Sequence, residues 1–349
     1  MKYRSAFVIP LLMVSWTVAH ARTDKREKKT GRQSVERTVA ADPNVVVSLC
    51  LMSGSIKVHG WDRNQVRARS SDAADIELRR TGTANDSDPA KKLRLLIADA
   101  TRRQAGQCLS DSDIELEVPH GASVQFQTRD GDISVADIAK VYAHTQAGNV
   151  NVERVSRIID ASSIGGNISL RNSNGSIKVH SVGGNIEARS VGPSEAGDIF
   201  EANTVAGDIA LDRARHAQLS ASTVSGCLSI SGPLARGARY SFQTISGDLT
   251  LTLPADSSFR LSATISRNAE MTTDFSLTLT GPAHPRSAMS VPTPPDKPGK
   301  PAKKDVTVER DDLVKGREYG LQHINAIYGS GDASISLSSF GGTIHLRKK

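Results

Sequence analysis

The feature that most constrains this chain is a three-residue phrase: a glycine, a small polar residue and a branched aliphatic residue. From Gly166 to Ile186 the phrase occurs three times at nine-residue intervals, as GNI, GSI and GNI. Elsewhere its intervals cluster near nine or ten residues and near twice that length. A phrase that returns at a nearly fixed interval is the signature of a repeat architecture. The glycines predicted to form repeat corners are Gly131, Gly148, Gly166, Gly175, Gly184, Gly197, Gly207 and Gly247.

Each unit of the repeat reads as one strand and one turn. After Gly166, the apolar Ile168 and Leu170 alternate with polar residues, which is the period of a strand with one buried face. Glycine tolerates backbone angles that other residues avoid, and an adjacent Asn or Asp bonds to nearby backbone, so the pair suits a corner. Nine residues leave no room for a helix. The sequence therefore predicts an all-β protein, an elongated β-solenoid or β-helix-like stack of short strands with Gly-Asp or Gly-Asn corners.

The N-terminus reads as an export signal. A basic start is followed by an apolar run and by the small-x-small sequence Ala19-His20-Ala21, so residues 1–21 are predicted to be a signal peptide. An uncleaved membrane anchor is the alternative, but the run is short for a bilayer span. No later stretch of the sequence is apolar for long enough to cross a membrane. We expect an exported protein, located in the periplasm, at the cell surface or secreted.

Composition divides the remainder of the chain. Residues 22–41 are predicted to be a basic flexible linker, and residues 42–349 a β-strand-repeat domain. Residues 281–304 hold seven of the chain's 14 prolines together with four lysines, so they are predicted to form a disordered insert. The net charge of +7 is concentrated in the linker, the insert and the last three residues. Nucleic-acid binding is not expected, because it requires basic residues clustered on a folded face.

The chain has three cysteines. Cys50 and Cys108 lie in the N-terminal third on segments that read as strands, and in an exported chain they are the candidate disulfide pair. Cys227 takes the polar position after a repeat glycine, where we expect an exposed thiol. No spacing of cysteines and histidines resembles a zinc site.

The motifs of common enzymes and metal sites are missing from the sequence. The calcium β-roll needs Gly-Gly-x-Gly-x-Asp, and the segments GGNIS and GGNIE lack its second half. Glycan-cleaving β-helices need paired carboxylates, whereas the aspartates here come singly, mostly at turns. There is no Gly-x-Ser-x-Gly elbow, no His-Glu-x-x-His and no phosphate loop. We therefore expect no enzyme activity, no catalytic residues, no metal and no cofactor.

Several longer phrases resemble the bacterial toastrack family of adhesin-like β-strand repeats. They are GSIKVHGWDRNQVRARSS (54–71), DIELEVPHGASVQFQTRDGDISVADI (113–138) and ISGDLTLTLPADSSFRLSATI (245–265). The resemblance extends over residues 42–349 apart from the insert, and it departs from the family pattern at ISRNAEM (265–271). It implies an exported or surface β-solenoid-like domain of unknown function, without established catalytic residues.

Three functions are compatible with these observations. The leading hypothesis is a non-enzymatic adhesin-like binding surface or envelope scaffold, whose partner is a cell-envelope protein or glycan. The second is an envelope-stress sensing module that binds a cationic peptide or a membrane partner, since the repeat body is slightly acidic. The third is a glycan-active β-helix enzyme, which would need two solvent-facing carboxylates about 5–10 Å apart.

Overall fold

The computed structural model describes residues 34–71, 75–81, 88–98, 108, 111–266, 269–280 and 321–349. Every regular element in these residues is a strand, which confirms the predicted all-β class. No helix in this part of the chain has the length and apolar character of a membrane span. The predicted signal peptide, residues 22–33 of the predicted linker and the predicted insert lie outside the described residues.

The described residues form twenty-six strands. In chain order they are β1 Val35–Ser53, β2 Ile56–Trp61, β3 Gln65–Ser70, β4 Asp75–Arg80, β5 Ala90–Ala98, β6 Ile114–Pro119, β7 Ser123–Asp130, β8 Ile133–Ala136, β9 Lys140–Ala147, β10 Val150–Glu153, β11 Ile158–Ser163, β12 Ile168–Arg171, β13 Ser176–Ser181, β14 Ile186–Val191, β15 Ile199–Ala206, β16 Ile209–Ala214, β17 Gln218–Ser225, β18 Leu228–Ser231, β19 Arg239–Ser246, β20 Leu249–Leu253, β21 Phe259–Ser266, β22 Met271–Thr273, β23 Thr278–Leu279, β24 Leu321–Tyr328, β25 Ala333–Gly341 and β26 Ile344–Lys348.

The strands pair in two ladders, here called sheet A and sheet B. Sheet A runs in the order β1–β3–β6–β2–β8–β10–β12–β14–β16–β18–β20–β26–β22. Sheet B runs in the order β4–β5–β1–β7–β9–β11–β13–β15–β17–β19–β25–β21–β24–β23. The long strand β1 belongs to both. From β7 to β22 the chain alternates between the ladders, so one strand from each forms a rung of about 18 residues.

The core lies between the two ladders. In β12, Ile168 and Leu170 are buried, while the residues that alternate with them are half-buried or exposed, as the period-two pattern predicted. The parallel register stacks aliphatic side chains on aliphatic side chains, because Ile168 pairs with Val150 on one side and with Ile186 on the other. Each short strand therefore buries its aliphatic face against the rungs before and after it as well as across the core.

One corner of each rung is a column of glycines. A Cβ on Gly166 would overlap the carbonyl oxygen of Gly148, and a Cβ on Gly184 would overlap that of Gly166. The corner therefore brings backbone against backbone at a separation that only glycine permits. The column consists of Gly54, Gly131, Gly148, Gly166, Gly184, Gly207, Gly226, Gly247 and Gly342.

Two of the predicted corner glycines lie outside this column. Gly175 lies against the carbonyl of Arg157, next to a strand of sheet B, and Gly197 has open space where its Cβ would be. Both have positive φ, 115° and 99°, which favours glycine in the turn itself. Gly175 also approaches the backbone of the preceding rung, whereas Gly197 serves the turn alone. The nine-residue interval of the sequence is thus half a rung, and the structural repeat is twice as long.

The opposite corner has a different chemistry. It is formed mainly by residues other than glycine with positive φ at the ends of successive sheet A strands: Asp137, Arg154, Asn172, Ser190 and Arg213. Such residues are uncommon in the left-handed region and carry no simple sequence signature. This corner was therefore missed by an analysis based on glycine.

Two hydrogen-bond ladders run beside the glycine column. In the first, the side-chain oxygen of an Asn or Asp accepts a hydrogen bond from a backbone N–H of the next rung. Asn149 accepts from the N–H of Asn167 at 3.0 Å, and Asn167 accepts from the N–H of Asn185 at 2.8 Å. In the second, a buried Ser or Thr donates to a glycine carbonyl, as Ser181 does to Gly166 at 3.2 Å. The small polar residue of the repeat phrase therefore links consecutive rungs.

The predicted linker is too long at its C-terminal end. β1 begins at Val35, so residues 35–41 are strand. The register with β3 runs from Val35 opposite Ser70 to Ala40 opposite Gln65. Val35 and Val39 pack against the core, and this apolar contact stabilises the start of β1 although the preceding segment is basic.

The first and last rungs of the sequence are internal to the stack. β1 and β2 lie between the rung of β5 and β6 and the rung of β7 and β8. In the same way, β25 and β26 lie between β19 and β20 on one side and β21 and β22 on the other. The antiparallel strands β4 and β23 end sheet B.

A disulfide joins Cys50 to Cys108, with the Cα atoms 4.8 Å apart. Cys50 lies in β1, whereas Cys108 lies outside the strands, which corrects the strand assignment made from the sequence. Cys227 is a free, exposed cysteine. The bond connects an internal rung to the segment that precedes β6.

Replacing Ser181 by Ala should lower the free energy of unfolding by about 1–3 kcal/mol, because the buried carbonyl of Gly166 and the N–H of Gly184 both lose their partner. Chemical denaturation measures the change. The matched control is Ser229→Ala at an exposed position of β18, which should be neutral within ±0.5 kcal/mol. Equal losses in the two variants would contradict the role of the buried hydroxyl.

Replacing Cys50 and Cys108 together by Ser should lower the free energy of unfolding by about 2–4 kcal/mol, because the bond closes a loop with a sequence separation of 58 residues. Denaturation of the wild type with and without a reductant should give the same difference. A stability unaffected by both the substitution and the reductant would show that the bond contributes nothing.

Candidate functional site

The outer face of sheet A carries a groove of about 540 Å³ near its N-terminal end. Its floor is β8, whose outward residues Ser134 and Ala136 are small. The neighbouring strand β2 presents Lys57 and His59 on one side of this floor. On the other side, β10 presents Asn151 and Glu153, and β12 follows with Ser169 and Arg171. Small side chains on one strand between larger ones on its neighbours create the depression.

The acidic wall of the groove is already neutralised. Glu117 of β6 contacts Arg67, and the hydrogen bond from Arg67 lowers the pKa of the Glu117 carboxyl. Glu115 lies 3.7 Å from Arg69, which also bonds to Glu36 at 3.0 Å. Both carboxylates are paired with arginines of β3.

An ion cluster lies at the corner beside the groove. Arg154 donates two hydrogen bonds to Asp137, at 2.6 and 2.8 Å, and also contacts Glu153. The hydrogen bond from Arg154 lowers the pKa of the Asp137 carboxyl. His59 lies 3.3 Å from the same carboxylate, and the ring of His120 is 2.7 Å from the Asp137 backbone oxygen. The cluster fixes the wall of the groove and the corner after β8.

Two cations of the groove remain available to a ligand. Among the described residues, Lys57 and Arg171 have no ion-pair partner, although both side chains line the groove. They stand on opposite sides of the β8 floor. The uncharged side chains of Ser134, Asn151 and Ser169 continue the row of Lys57 across neighbouring strands, and Arg171 follows Ser169 two residues later on β12.

The geometry does not suit acid–base hydrolysis of a glycan. Glu117 and Glu153 are separated by three strand spacings, about 14 Å, which is wider than the carboxylate pair of either glycosidase class. Glu115 and Glu117 are closer, but a general acid needs a raised pKa and that of Glu117 is lowered. No group of three or more His, Cys, Asp or Glu side chains in the described part of the chain could hold a metal ion.

The residues singled out in the sequence lie elsewhere. The corner glycines and the turn aspartates Asp132, Asp208 and Asp248 follow the edge of the stack, where each of these aspartates accepts a backbone hydrogen bond from the next rung. Sequence reasoning missed the groove, because the insertion of β2 between β6 and β8 pairs residues far apart in the chain. In the sequence, these side chains could be recognised only by the alternation of polar and apolar residues, which predicts that they face outward.

Two solved structures are similar to this chain. A candidate adhesin from Bacteroides fragilis NCTC 9343 is 11% identical, with 90% of this chain and 97% of that chain covered and a TM-score of 0.41. A candidate cell adhesion protein from Clostridium sporogenes ATCC 15579 is 9% identical, with 91% and 100% covered and a TM-score of 0.23. Both superpositions are too loose to carry an argument. No curated protein matches the chain.

The family comparison is more direct. The family model described as Toastrack DUF4097 matches residues 55–277, which is more than half of the chain. The matched segment includes the groove and most of the glycine column. The expected resemblance is confirmed, and the chain belongs to the Toastrack DUF4097 family.

Proposed function

We propose that this protein is an exported, non-enzymatic, adhesin-like binding protein of the cell envelope, and that the groove over β8 binds an acidic glycan. The observation that carries the proposal is that Lys57 and Arg171, which have no ion-pair partner among the described residues, stand on opposite sides of the β8 floor in a groove that also contains neutral hydrogen-bonding side chains. Export is supported by the predicted signal peptide, residues 1–21.

The charges of the groove favour an anionic ligand. Its carboxylates already face arginines, so a bound anion meets the free lysine and arginine without strong repulsion from unpaired acidic groups. The cationic peptide of the alternative hypothesis would compete with Arg67, Arg69 and Arg154 for the same carboxylates. The net acidity of the repeat body therefore does not extend to this site.

The groove supplies groups that suit sugar hydroxyls. Ser134, Asn151 and Ser169 offer hydroxyl and amide groups that both donate and accept hydrogen bonds. The parallel register spaces these side chains at one strand interval, about 4.8 Å. A row of this kind matches a ligand with repeated hydroxyls better than one with a single polar group.

The test is binding of uronic-acid oligosaccharides and of neutral oligosaccharides of equal length, followed by calorimetry. The wild type should prefer the acidic ligands, and its affinity should fall with added salt. The double variant Lys57→Ala/Arg171→Ala should weaken binding by at least about tenfold, the equivalent of 1.4 kcal/mol.

The matched control is Lys178→Ala, which removes an exposed cation from β13 on the other sheet. It should leave binding unchanged. Equal affinity for acidic and neutral ligands would contradict an electrostatic site. An equal loss in the control and the double variant would exclude the groove as its location.

A further inference from the structure

An apolar stripe crosses six neighbouring strands at the edge of sheet B. It lies directly before the glycine corners, at positions where the strand ends. Its members are between 38% and 55% exposed, although they are large aliphatic or aromatic residues. The stripe consists of Ile164, Val182, Val205, Val224, Ile245 and Phe340.

The strand register makes the stripe continuous. Each member follows a Ser or Thr that pairs with its counterpart in the next strand, as Thr204 pairs with Thr223 and Thr244 with Ser339. Six strands about 4.8 Å apart give a row about 24 Å long. The preceding strand β9 has Gln146 at this position, so the stripe begins at β11.

A second row, here called the small-residue track, runs beside the stripe. In each rung the residue after the stripe member is exposed and no larger than serine. The track consists of Gly165, Gly183, Ala206, Ser225, Ser246 and Gly341. A ridge of large side chains therefore adjoins a flat strip of the same length and spacing.

The fold of one chain does not require the three glycines of the track. A Cβ on Gly165 would lie 3.6 Å from the nearest atom, and one on Gly183 or Gly341 would lie 3.4 Å away, which is ordinary contact. None of the three has the positive φ that favours glycine. Gly165 and Gly183 lie in the bend directly after a strand and Gly341 ends β25, so a small side chain would fit at each position and the flat track is not imposed by packing within one chain.

The surface around the stripe lacks formal charge. The row on its other side consists of Ser162, His180, Asn203, Ser222, Gln243 and Ser338. Neither this row nor the stripe nor the track contains Lys, Arg, Asp or Glu. A charged partner gains nothing from such a face, whereas two copies of it approach each other without like-charge repulsion.

The size of the stripe suits reversible self-association. Its exposed side chains amount to roughly 400 Å² of apolar surface, the scale of patches that mark interaction sites. Together with the track, two facing copies bury about 1,000 Å² in total, at the lower end for specific interfaces. Interfaces of this size belong mostly to weak, transient complexes, so we expect reversible dissociation at micromolar concentrations or above.

We propose that the stripe and the track form a self-complementary interface at which a second copy of this chain docks in parallel. A two-fold axis along the stripe places the ridge of each copy over the track of its partner. In this arrangement Phe340, the largest side chain of the stripe, meets Gly341 of the partner subunit, and Ile164 meets Gly165 of the partner subunit. Every rung then faces the same rung of the other copy.

The first test is sedimentation equilibrium of the purified chain. The wild type should dimerise reversibly. Val205→Glu places a charge in the ridge and should raise the dissociation constant at least about tenfold. Gly183→Leu fills the track and should do the same, although it makes the surface more apolar. A wild type that stays monomeric up to 100-fold above micromolar concentrations would overturn the proposal.

The Gly183→Leu variant separates shape from general stickiness. Stronger association of this variant would mean that hydrophobic contact alone drives pairing, against the fit of ridge and track. The control Ser229→Glu adds a charge on the outer face of sheet A and should leave the dissociation constant unchanged. Thermal melts of all variants should coincide, because every substituted side chain is exposed.

The second test fixes the direction of pairing by cysteine cross-linking in a Cys227→Ser background. In a parallel dimer each residue of the stripe lies close to the same residue of the partner subunit. Ile164→Cys and Ile245→Cys should therefore each form intermolecular disulfides. An antiparallel dimer would cross-link Val224→Cys near the centre but neither of the other two, and this result would overturn the proposed arrangement.

Discussion

The contact on which this structure depends is the approach of one glycine backbone to the carbonyl oxygen of the glycine one rung earlier. At Gly166 and Gly184 the neighbouring carbonyl occupies the space of a side chain. The adjacent hydrogen bonds work only at this separation, because they join a side-chain oxygen to the backbone of the next rung. The corner sets the register, and the register then stacks Val150, Ile168 and Ile186 into a common core row.

The same register determines both outer surfaces. Since every strand repeats the position of its neighbour, residues that are distant in sequence form straight rows. On sheet A, a strand with small outward residues between bulkier neighbours produces the groove beside Lys57 and Arg171. On sheet B, a large residue before each corner produces the apolar stripe. Both surfaces proposed here for binding are therefore rows of side chains rather than a single loop.

The local parts of this fold could be predicted from the sequence, and the long-range parts could not. Alternation identified β12 and its buried Ile168 and Leu170, because a strand with one buried face leaves that pattern. The sequence did not distinguish Gly197, in an open turn, from the glycines in backbone contact, because all of them occur in the same Gly-polar-aliphatic phrase. The second corner, with Arg154 at a φ of 51°, carries no such signal at all. The position of β2 depends on pairing across the stack, so the groove required the structure.

Comparison of two adjacent glycines tests the central role of the corner most directly. Gly166→Ala should lower the free energy of unfolding by at least about 2 kcal/mol, because its Cβ would overlap a backbone carbonyl that cannot move aside. Gly165→Ala, one residue earlier, should leave stability unchanged or raise it by up to about 1 kcal/mol. Both values come from chemical denaturation of the two variants under identical conditions. Equal stabilities would contradict the account, since they would mean that the close approach at Gly166 does not set the register of the stack.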